Sequence, residues 1–267
     1  MPPSVGDHLG LASLNATLAL LGRGGGDRSF SADARTVADD LSRMRAKPAP
    51  LVRPVVILSG YHTPAQVAWW LRVQLARLTS RNAADFVVVS YPTATEIEQA
   101  ADRTLAALHR RWSGRGAPAV DTVGISMGGI VARYAAAAPQ LRSEGAATPA
   151  NGQRLSIARL FTFATPHQGS IRAARIAPDR AARDMKPGSP FLAALNRQQA
   201  DYPVVCYVQR GDGFVTPDAA APPGHRAFTA DGSRLMSHFT TAHNPWFLAD
   251  LARRLRGESP LLGAGGA

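Results

Sequence analysis

The sequence has little cysteine and lysine, and it lacks a long apolar run. Cys206 is the only cysteine among the 267 residues, so no disulfide can form within the chain and the fold does not depend on an oxidising compartment. The apolar run at 204–208 around Cys206 is typical of a buried strand, which favours a core residue over a nucleophile. No stretch approaches the ~20 apolar residues of a membrane-spanning helix, so we expect no stable membrane insertion.

The positive charge is large but is not concentrated in any segment. The formal net charge is +11, with lysine only at positions 47 and 186 and arginine spread along the chain. Such a charge would favour binding to nucleic acid or to an anionic lipid surface. Because no basic run is interleaved with aromatic residues, we expect no nucleic-acid partner and at most a transient contact with a lipid surface. The oligomeric state is left open.

Residues 1–50 are predicted to form an N-terminal helical extension. Residues 9–21 are mildly apolar, but they follow Asp7 and His8 instead of a basic segment, and no small-residue cleavage site comes after them. We therefore interpret them as a helix of the mature protein and expect a cytoplasmic location. A second, amphipathic helix is predicted over 31–46.

From residue 51 onward, apolar runs of strand length alternate with helical patterns. Continuous apolar strands suit a parallel sheet that is covered on both faces, and the β-α-β order requires right-handed crossovers. We therefore predict an α/β domain over 51–256, with a mostly parallel central sheet and helices on both faces. The remaining residues, 257–267, are predicted to be a disordered tail.

Residues 171–200 interrupt this alternation. They contain two predicted short helices, around 171–177 and 191–197, separated by prolines and Gly188. An excursion of this length between two strands either forms a cap or lid over a site or packs as an ordinary crossover helix with a loop. The sequence leaves both interpretations open.

A glycine-flanked serine connects a predicted strand to a predicted helix. Residues 124–128 read Gly-Ile-Ser-Met-Gly. Since glycine has no Cβ, the strand and the helix can approach closely around a strained Ser126. The helix N-terminus behind this serine favours developing negative charge. Gly-x-Ser-x-Gly between a strand and a helix is the pattern of a nucleophile elbow, which makes Ser126 the candidate nucleophile.

A serine hydroxyl needs a neighbouring imidazole as its base, and the imidazole needs a carboxylate that orients it. Asp212 and His238 follow Ser126 in the chain in that order. Asp212 directly follows a predicted strand, at the edge of a parallel sheet where catalytic groups gather. Asp218 and His243 are the competing carboxylate and imidazole.

Together these features resemble the α/β-hydrolase family, in particular its lipase and esterase branch. The resemblance rests on the serine segment, the Thr-Pro-His-Gln-Gly loop at 165–169, the acid loop at 211–215 and the histidine at 238. It implies an α/β-hydrolase fold and hydrolysis of a small-molecule or lipid ester by a triad of Ser126, Asp212 and His238. A thioesterase, an acyltransferase or a non-catalytic binding module with this fold stay open as alternatives.

The resemblance also implies which groups surround the triad. The backbone N–H groups of Tyr61 and Met127 would bind the oxyanion, and His62 and His167 would line the site. Five aromatic or apolar residues could either shape an acyl pocket or pack in the core: Trp69, Trp70, Phe191, Leu192 and Leu195. No histidine or cysteine spacing suggests a metal site and no Gly-x-Gly-x-x-Gly follows the first strand, so we expect no cofactor.

Overall fold

The computed structural model describes residues 29–63, 65–112, 117–137, 154–172, 175, 179–232 and 236–261. The predicted helix over 9–21, most of the predicted helix at 171–177, and residues 262–267 of the predicted tail lie outside them.

The described helices and strands alternate as the sequence predicts. In chain order they are α1 (Ala34–Ala46), β1 (Val55–Leu58), α2 (Gln66–Leu78), β2 (Phe86–Val89), α3 (Ile97–Trp112), β3 (Val120–Ile125), α4 (Met127–Ala136), β4 (Ile157–Phe163), α5 (Arg180–Asp184), α6 (Pro190–Arg197), β5 (Val204–Arg210), β6 (Ala227–Asp231), α7 (Ser237–Thr240) and α8 (Pro245–Leu255). None of these helices is long and apolar enough to cross a membrane.

The six described strands form one parallel sheet in the order β2-β1-β3-β4-β5-β6. The chain runs outward from β1 to β2 and then returns to the other side of β1, so the order reverses between β1 and β3. Ligands of open α/β sheets bind at the carboxyl ends of the strands beside such a reversal. Ser126 follows the last residue of β3 at this position.

Both faces of the sheet are covered, and the side chains of β1 alternate between them. Val55 and Ile57 pack with α1, α2 and α8, whereas Val56 and Leu58 pack on the opposite face with α3 and α4. The apolar residues of α6 join the second face through Leu192. The prediction of an α/β fold with helices on both faces is therefore confirmed.

Helix α1 belongs to this domain and is not part of a separate extension. Val37, Leu41 and Met44 are fully buried in the core that α1 shares with α8. The nearly buried carboxylate of Asp40 accepts a hydrogen bond of 2.6 Å from Nε of Arg253 in α8. Apolar burial and this ion pair fix α1 to the domain, so the predicted boundary at residue 51 is wrong.

The described part of the predicted tail is packed as well. The backbone N–H of Leu261 donates to Oδ1 of Asp250 at 2.7 Å, and the Tyr207 hydroxyl donates to Oδ2 of the same carboxylate at 2.7 Å. Because the Asp250 side chain is fully buried, it depends on such donors. The prediction of disorder is wrong for residues 257–261, since this carboxylate holds the chain beyond α8.

Candidate active site

Ser126 occupies a strained turn between β3 and α4. Its backbone has φ 51° and ψ −122°, a region that residues with a Cβ rarely adopt. Its N–H donates to the carbonyl oxygen of Phe163 at 2.8 Å, and its carbonyl oxygen accepts the Thr165 hydroxyl at 2.7 Å. The end of β4 therefore holds the serine backbone on both sides.

Close packing explains the glycines around this turn. A Cβ on Gly124 would lie 2.4 Å from the Cα of Gly129 in α4, and a Cβ on Gly128 would lie 2.4 Å from the carbonyl oxygen of Leu58. Both distances are far below van der Waals contact. The spacing of the glycines is thus the local signature of a helix that packs directly on the ends of β1 and β3.

The structure brings together Ser126, His238 and Asp212. Ser126 Oγ lies 3.1 Å from Nε2 of His238, and Nδ1 of the same ring lies 3.1 Å from Oδ2 of Asp212. The Asp212 side chain has no exposed surface, and that of His238 is 13% exposed. A hydroxyl, an imidazole and a buried carboxylate are therefore connected in one line of hydrogen bonds.

Backbone groups fix the carboxylate of Asp212. Gly211 before it has φ 85°, which turns the chain at the end of β5. Oδ1 of Asp212 accepts the N–H groups of Phe214 at 2.8 Å and Val215 at 3.0 Å, so Oδ2 is left to face His238. His238 itself lies in the one-turn helix α7.

The two competing residues lie elsewhere. Asp218 has an exposed side chain in a 3₁₀ turn, where its carbonyl oxygen accepts the side-chain amide of Gln168. The ring of His243 packs against Trp70 with the ring centroids 4.1 Å apart. Burial lowers the pKa of His243, which favours its neutral form.

No family model matches the chain, and no curated protein does. Its fold does match solved structures. The mature form of Bacillus licheniformis lipase BlEst2 is 18% identical with a TM-score of 0.50, and the match covers 73% of this chain and 89% of that one. Aspergillus fumigatus lipase B is 16% identical with a TM-score of 0.56, over 90% of this chain and 61% of that one. The chain has the α/β-hydrolase fold. At these identities the likeness concerns the fold alone.

In this hydrolase fold, a cleft of about 370 Å³ opens beside Ser126 and His238. Most of the other lining side chains are apolar: Val67, Ile125, Pro166, Met185, Phe214, Val215 and Phe239. Within the described part of the chain, no three His, Cys, Asp or Glu side chains are grouped so that they could hold a metal ion. The cleft therefore offers an apolar surface directly next to the hydrogen-bonded side chains of Ser126 and His238.

The residues predicted to shape an acyl pocket do not line this cleft. Trp69 is 47% exposed, with the Arg72 guanidinium 4.7 Å from its ring, while Val67 of the same helix turns toward the cleft. The remaining residues of that set pack in the two cores: Trp70, Phe191, Leu192 and Leu195. Because successive residues of a helix are rotated by 100° about its axis, Val67, Trp69 and Trp70 of α2 point in different directions.

His62 lines the cleft, but His167 does not. The fully buried ring of His167 lies with Nδ1 3.3 Å from Nη1 of Arg133 and with Nε2 3.3 Å from the Thr162 hydroxyl. Burial and the Arg133 charge lower the pKa of His167 well below its ordinary value, so the ring is neutral. The predicted site-lining role of His167 is wrong, because its side chain turns inward while Pro166 faces the cleft.

The loop after β1 brings Tyr61 close to the serine turn. A Cβ built on Gly60 would lie 3.3 Å from the Cβ of Ser126, so the two segments nearly touch. The Thr63 hydroxyl donates to the carbonyl oxygen of Tyr61 at 3.0 Å; it does not cap α2, which begins at Gln66. Met127, the other predicted oxyanion donor, is the first residue of α4.

Sequence reasoning missed Asp179. Its Oδ1 accepts the N–H of Ala182 at 2.8 Å, which caps α5, and its Oδ2 accepts the Tyr61 hydroxyl at 2.5 Å. The position of an aspartate before the helical pattern at 180–184 is a detectable N-cap signal. The contact with Tyr61, 118 residues away in the chain, had no local signal.

Proposed function

We propose that the protein is a serine hydrolase that cleaves carboxylic esters through an acyl-enzyme on Ser126. The observation that carries the proposal is the line of hydrogen bonds from Ser126 through His238 to the buried Asp212. The strained backbone of Ser126, the α/β-hydrolase fold and the apolar cleft support it. The lipase names of the two structural neighbours agree with the proposed class of reaction.

In the proposed reaction, Nε2 of His238 accepts the proton of the Ser126 hydroxyl while Oγ attacks the ester carbonyl carbon. Asp212 accepts the Nδ1–H of the ring and stabilises the imidazolium. The alcohol leaves with the proton from Nε2, and the acyl group stays on Oγ. Water then attacks the acyl-enzyme and gives its proton to His238, and the carboxylic acid is released as Ser126 regains its proton.

The negative oxygen of the tetrahedral intermediate needs fixed donors. We assign the N–H of Met127 and the N–H of Tyr61 to this role. Met127 begins α4, so its N–H is one of the first-turn donors without a partner inside the helix, and the helix dipole favours an anion there. Tyr61 follows Gly60 in the loop after β1, and this loop nearly touches the serine turn at Gly60.

The composition of the cleft suggests the class of ester. Its apolar walls favour an acyl chain without charge, and Phe239 and Met236 expose 54% and 51% of their surface beside His238. This exposed edge fits a lipid ester and a transient contact with a lipid surface. Met185, the residue after α5, borders the cleft and so contributes to one wall of the site in this proposal. A thioester, or an alcohol in place of water, would use the same groups.

A chain-length series of nitrophenyl esters tests the proposal. The wild type is expected to prefer acyl chains that fill the apolar cleft, and Ser126→Ala is expected to lose about 10⁴-fold or more in kcat. Ser80→Ala is a control, because Ser80 bonds to Asp85, outside the cleft. Wild-type turnover by Ser126→Ala would refute the nucleophile. A folded wild type that is inactive on the whole series would favour a non-catalytic binding module.

A further inference from the structure

Asp179 connects the segment between β4 and β5 to the loop at 59–63, which follows β1. Its Oδ2 accepts the Tyr61 hydroxyl at 2.5 Å and lies 3.5 Å from Nε2 of His62, while Oδ1 caps α5 at the N–H of Ala182. The carboxylate side chain is only 16% exposed. One partly buried side chain thus joins two segments that are far apart in the sequence.

Asp179 is itself held in place. The residue after it, Arg180, forms an ion pair of 3.1 Å with Glu98 in α3. The N–H of Ala181 donates to the carbonyl oxygen of Thr95 at 2.7 Å, just before α3. These contacts anchor the start of α5 to the body of the domain, so the carboxylate is a fixed acceptor for the loop after β1.

The loop after β1 needs such an anchor. His62 has φ 46°, a strained conformation for a residue with a side chain, and its ring stacks on that of Tyr61 with the centroids 4.1 Å apart. Burial and the bond to Asp179 raise the pKa of Tyr61, so its phenol keeps the proton that it donates. The Tyr61 side chain is therefore tied at its far end, while Gly60, the residue before it, lies close to Ser126.

We propose that Asp179 is a positioning residue that aims the N–H of Tyr61 at the oxyanion through the Tyr61 hydroxyl. This inference rests on the proposed ester hydrolysis at Ser126. A donor stabilises the tetrahedral intermediate only when it is fixed at hydrogen-bond distance from the developing charge. Loss of the tie is expected to affect the transition state more than the binding of the substrate.

The test uses Asp179→Asn, Tyr61→Phe and the double variant in the full chain. Three quantities are measured: kcat and KM for nitrophenyl butyrate, and the second-order rate of Ser126 phosphonylation by a fluorophosphonate. In each single variant, kcat and the phosphonylation rate are expected to fall about tenfold, with KM within about twofold. The double variant is expected to match the slower single one, because both changes act on the same contact between residues 61 and 179.

Asp33→Asn is a matched control. Asp33 caps α1 by accepting the N–H of Thr36 at 2.7 Å, and it does not line the cleft. Asparagine caps helices about as well as aspartate, so neither exchange is expected to unfold its helix. Equal thermal stability of the two variants, with kcat lowered only in Asp179→Asn, is the expected result.

Three results would overturn the positioning role: wild-type kcat and labelling in Asp179→Asn, a change in KM alone, or a double variant slowed by the product of the two single effects. If the wild type is labelled at Ser126 and Asp179→Asn is labelled equally fast, only the positioning role falls. If the wild type neither hydrolyses the ester nor is labelled, the proposed hydrolase function falls, and the positioning role falls with it.

Discussion

Two loops flank the serine turn, and they hold their histidines in opposite ways. The loop at 59–63 follows β1 and exposes His62 at the cleft, whereas the loop at 164–170 follows β4 and buries His167. Both loops start at the carboxyl ends of strands that neighbour β3. A position after a strand therefore indicates the correct edge of the sheet, but it does not indicate which side chain faces the cleft.

Hydrogen bonds explain the difference. The loop after β4 braces the serine turn against the acid loop: the Thr165 hydroxyl donates to the Ser126 carbonyl oxygen, and the Ser170 hydroxyl donates to the Phe214 carbonyl oxygen at 2.6 Å. Its polar groups are thus used inside the protein. The loop after β1 has fewer such hydrogen bonds: the Tyr61 hydroxyl is bound by Asp179, and His62 stays 45% exposed at the cleft.

Glycine-to-alanine exchanges in α4 probe the two sides separately and are expected to have the largest effect on stability. A Cβ on Gly128 would lie 2.4 Å from the backbone oxygen of Leu58, whereas a Cβ on Gly129 would meet only side-chain atoms, the nearest being the Thr165 hydroxyl at 2.4 Å, and side chains shift more easily than backbone. We expect Gly128→Ala to lower the free energy of unfolding by about 3 kcal/mol and Gly129→Ala by about 1.5 kcal/mol, as measured by urea denaturation. The reverse order would show that the loop after β4 is the more rigid side.

Alanine exchanges of the two histidines are expected to separate stability from activity. His167→Ala leaves donors of the buried Arg133 and the Thr162 hydroxyl with fewer partners, so the free energy of unfolding is expected to fall by about 2 kcal/mol. His62→Ala is expected to change that free energy by less than about 0.5 kcal/mol, because the ring is 45% exposed, and to alter KM. Urea denaturation and ester kinetics check both, and an equal loss of stability would contradict the contrast.

The burial of His167 is also expected to lower the stability of the protein at acid pH, and this effect is expected to be smaller. Because the folded protein keeps His167 neutral where the unfolded chain binds a proton, stability is expected to fall as the pH drops below about 6.5. Each such group contributes at most about 1.4 kcal/mol per pH unit.

The lowered pKa of His243 acts in the same direction, so His167→Gln is expected to reduce the slope between pH 7 and 5 without abolishing it. Exchange of the exposed His109 for Gln is the control. An unchanged slope in His167→Gln, measured by urea denaturation at each pH, would contradict the buried, neutral state of His167.

Local patterns were sufficient to predict much of the fold. The continuous apolar runs identified the strands, and the glycines around Ser126 predicted the turn, because both depend on close packing within a short segment. The order of Ser126, Asp212 and His238 predicted three side chains that the structure places in one line. Their catalytic roles are the proposal that the experiments test.

Long-range contacts account for what the sequence did not predict. The inward turn of His167 depends on Arg133 in α4, and the tie between Asp179 and Tyr61 joins segments that fold together only in the complete domain. The packed tail depends on the buried Asp250, whose need for donors is visible only once its burial is known. Periodicity contains no information on such pairings.

Peptide mapping after treatment with a fluorophosphonate tests the activation of Ser126 most directly. The wild type is expected to carry one adduct, on the peptide that contains Ser126, and Ser126→Ala is expected to carry none. His238→Ala is expected to slow labelling about a thousandfold, whereas exchange of the exposed His225 for Gln leaves the rate unchanged. Labelling of Ser126→Ala, or a folded wild type that stays unlabelled, would contradict an activated serine at this turn.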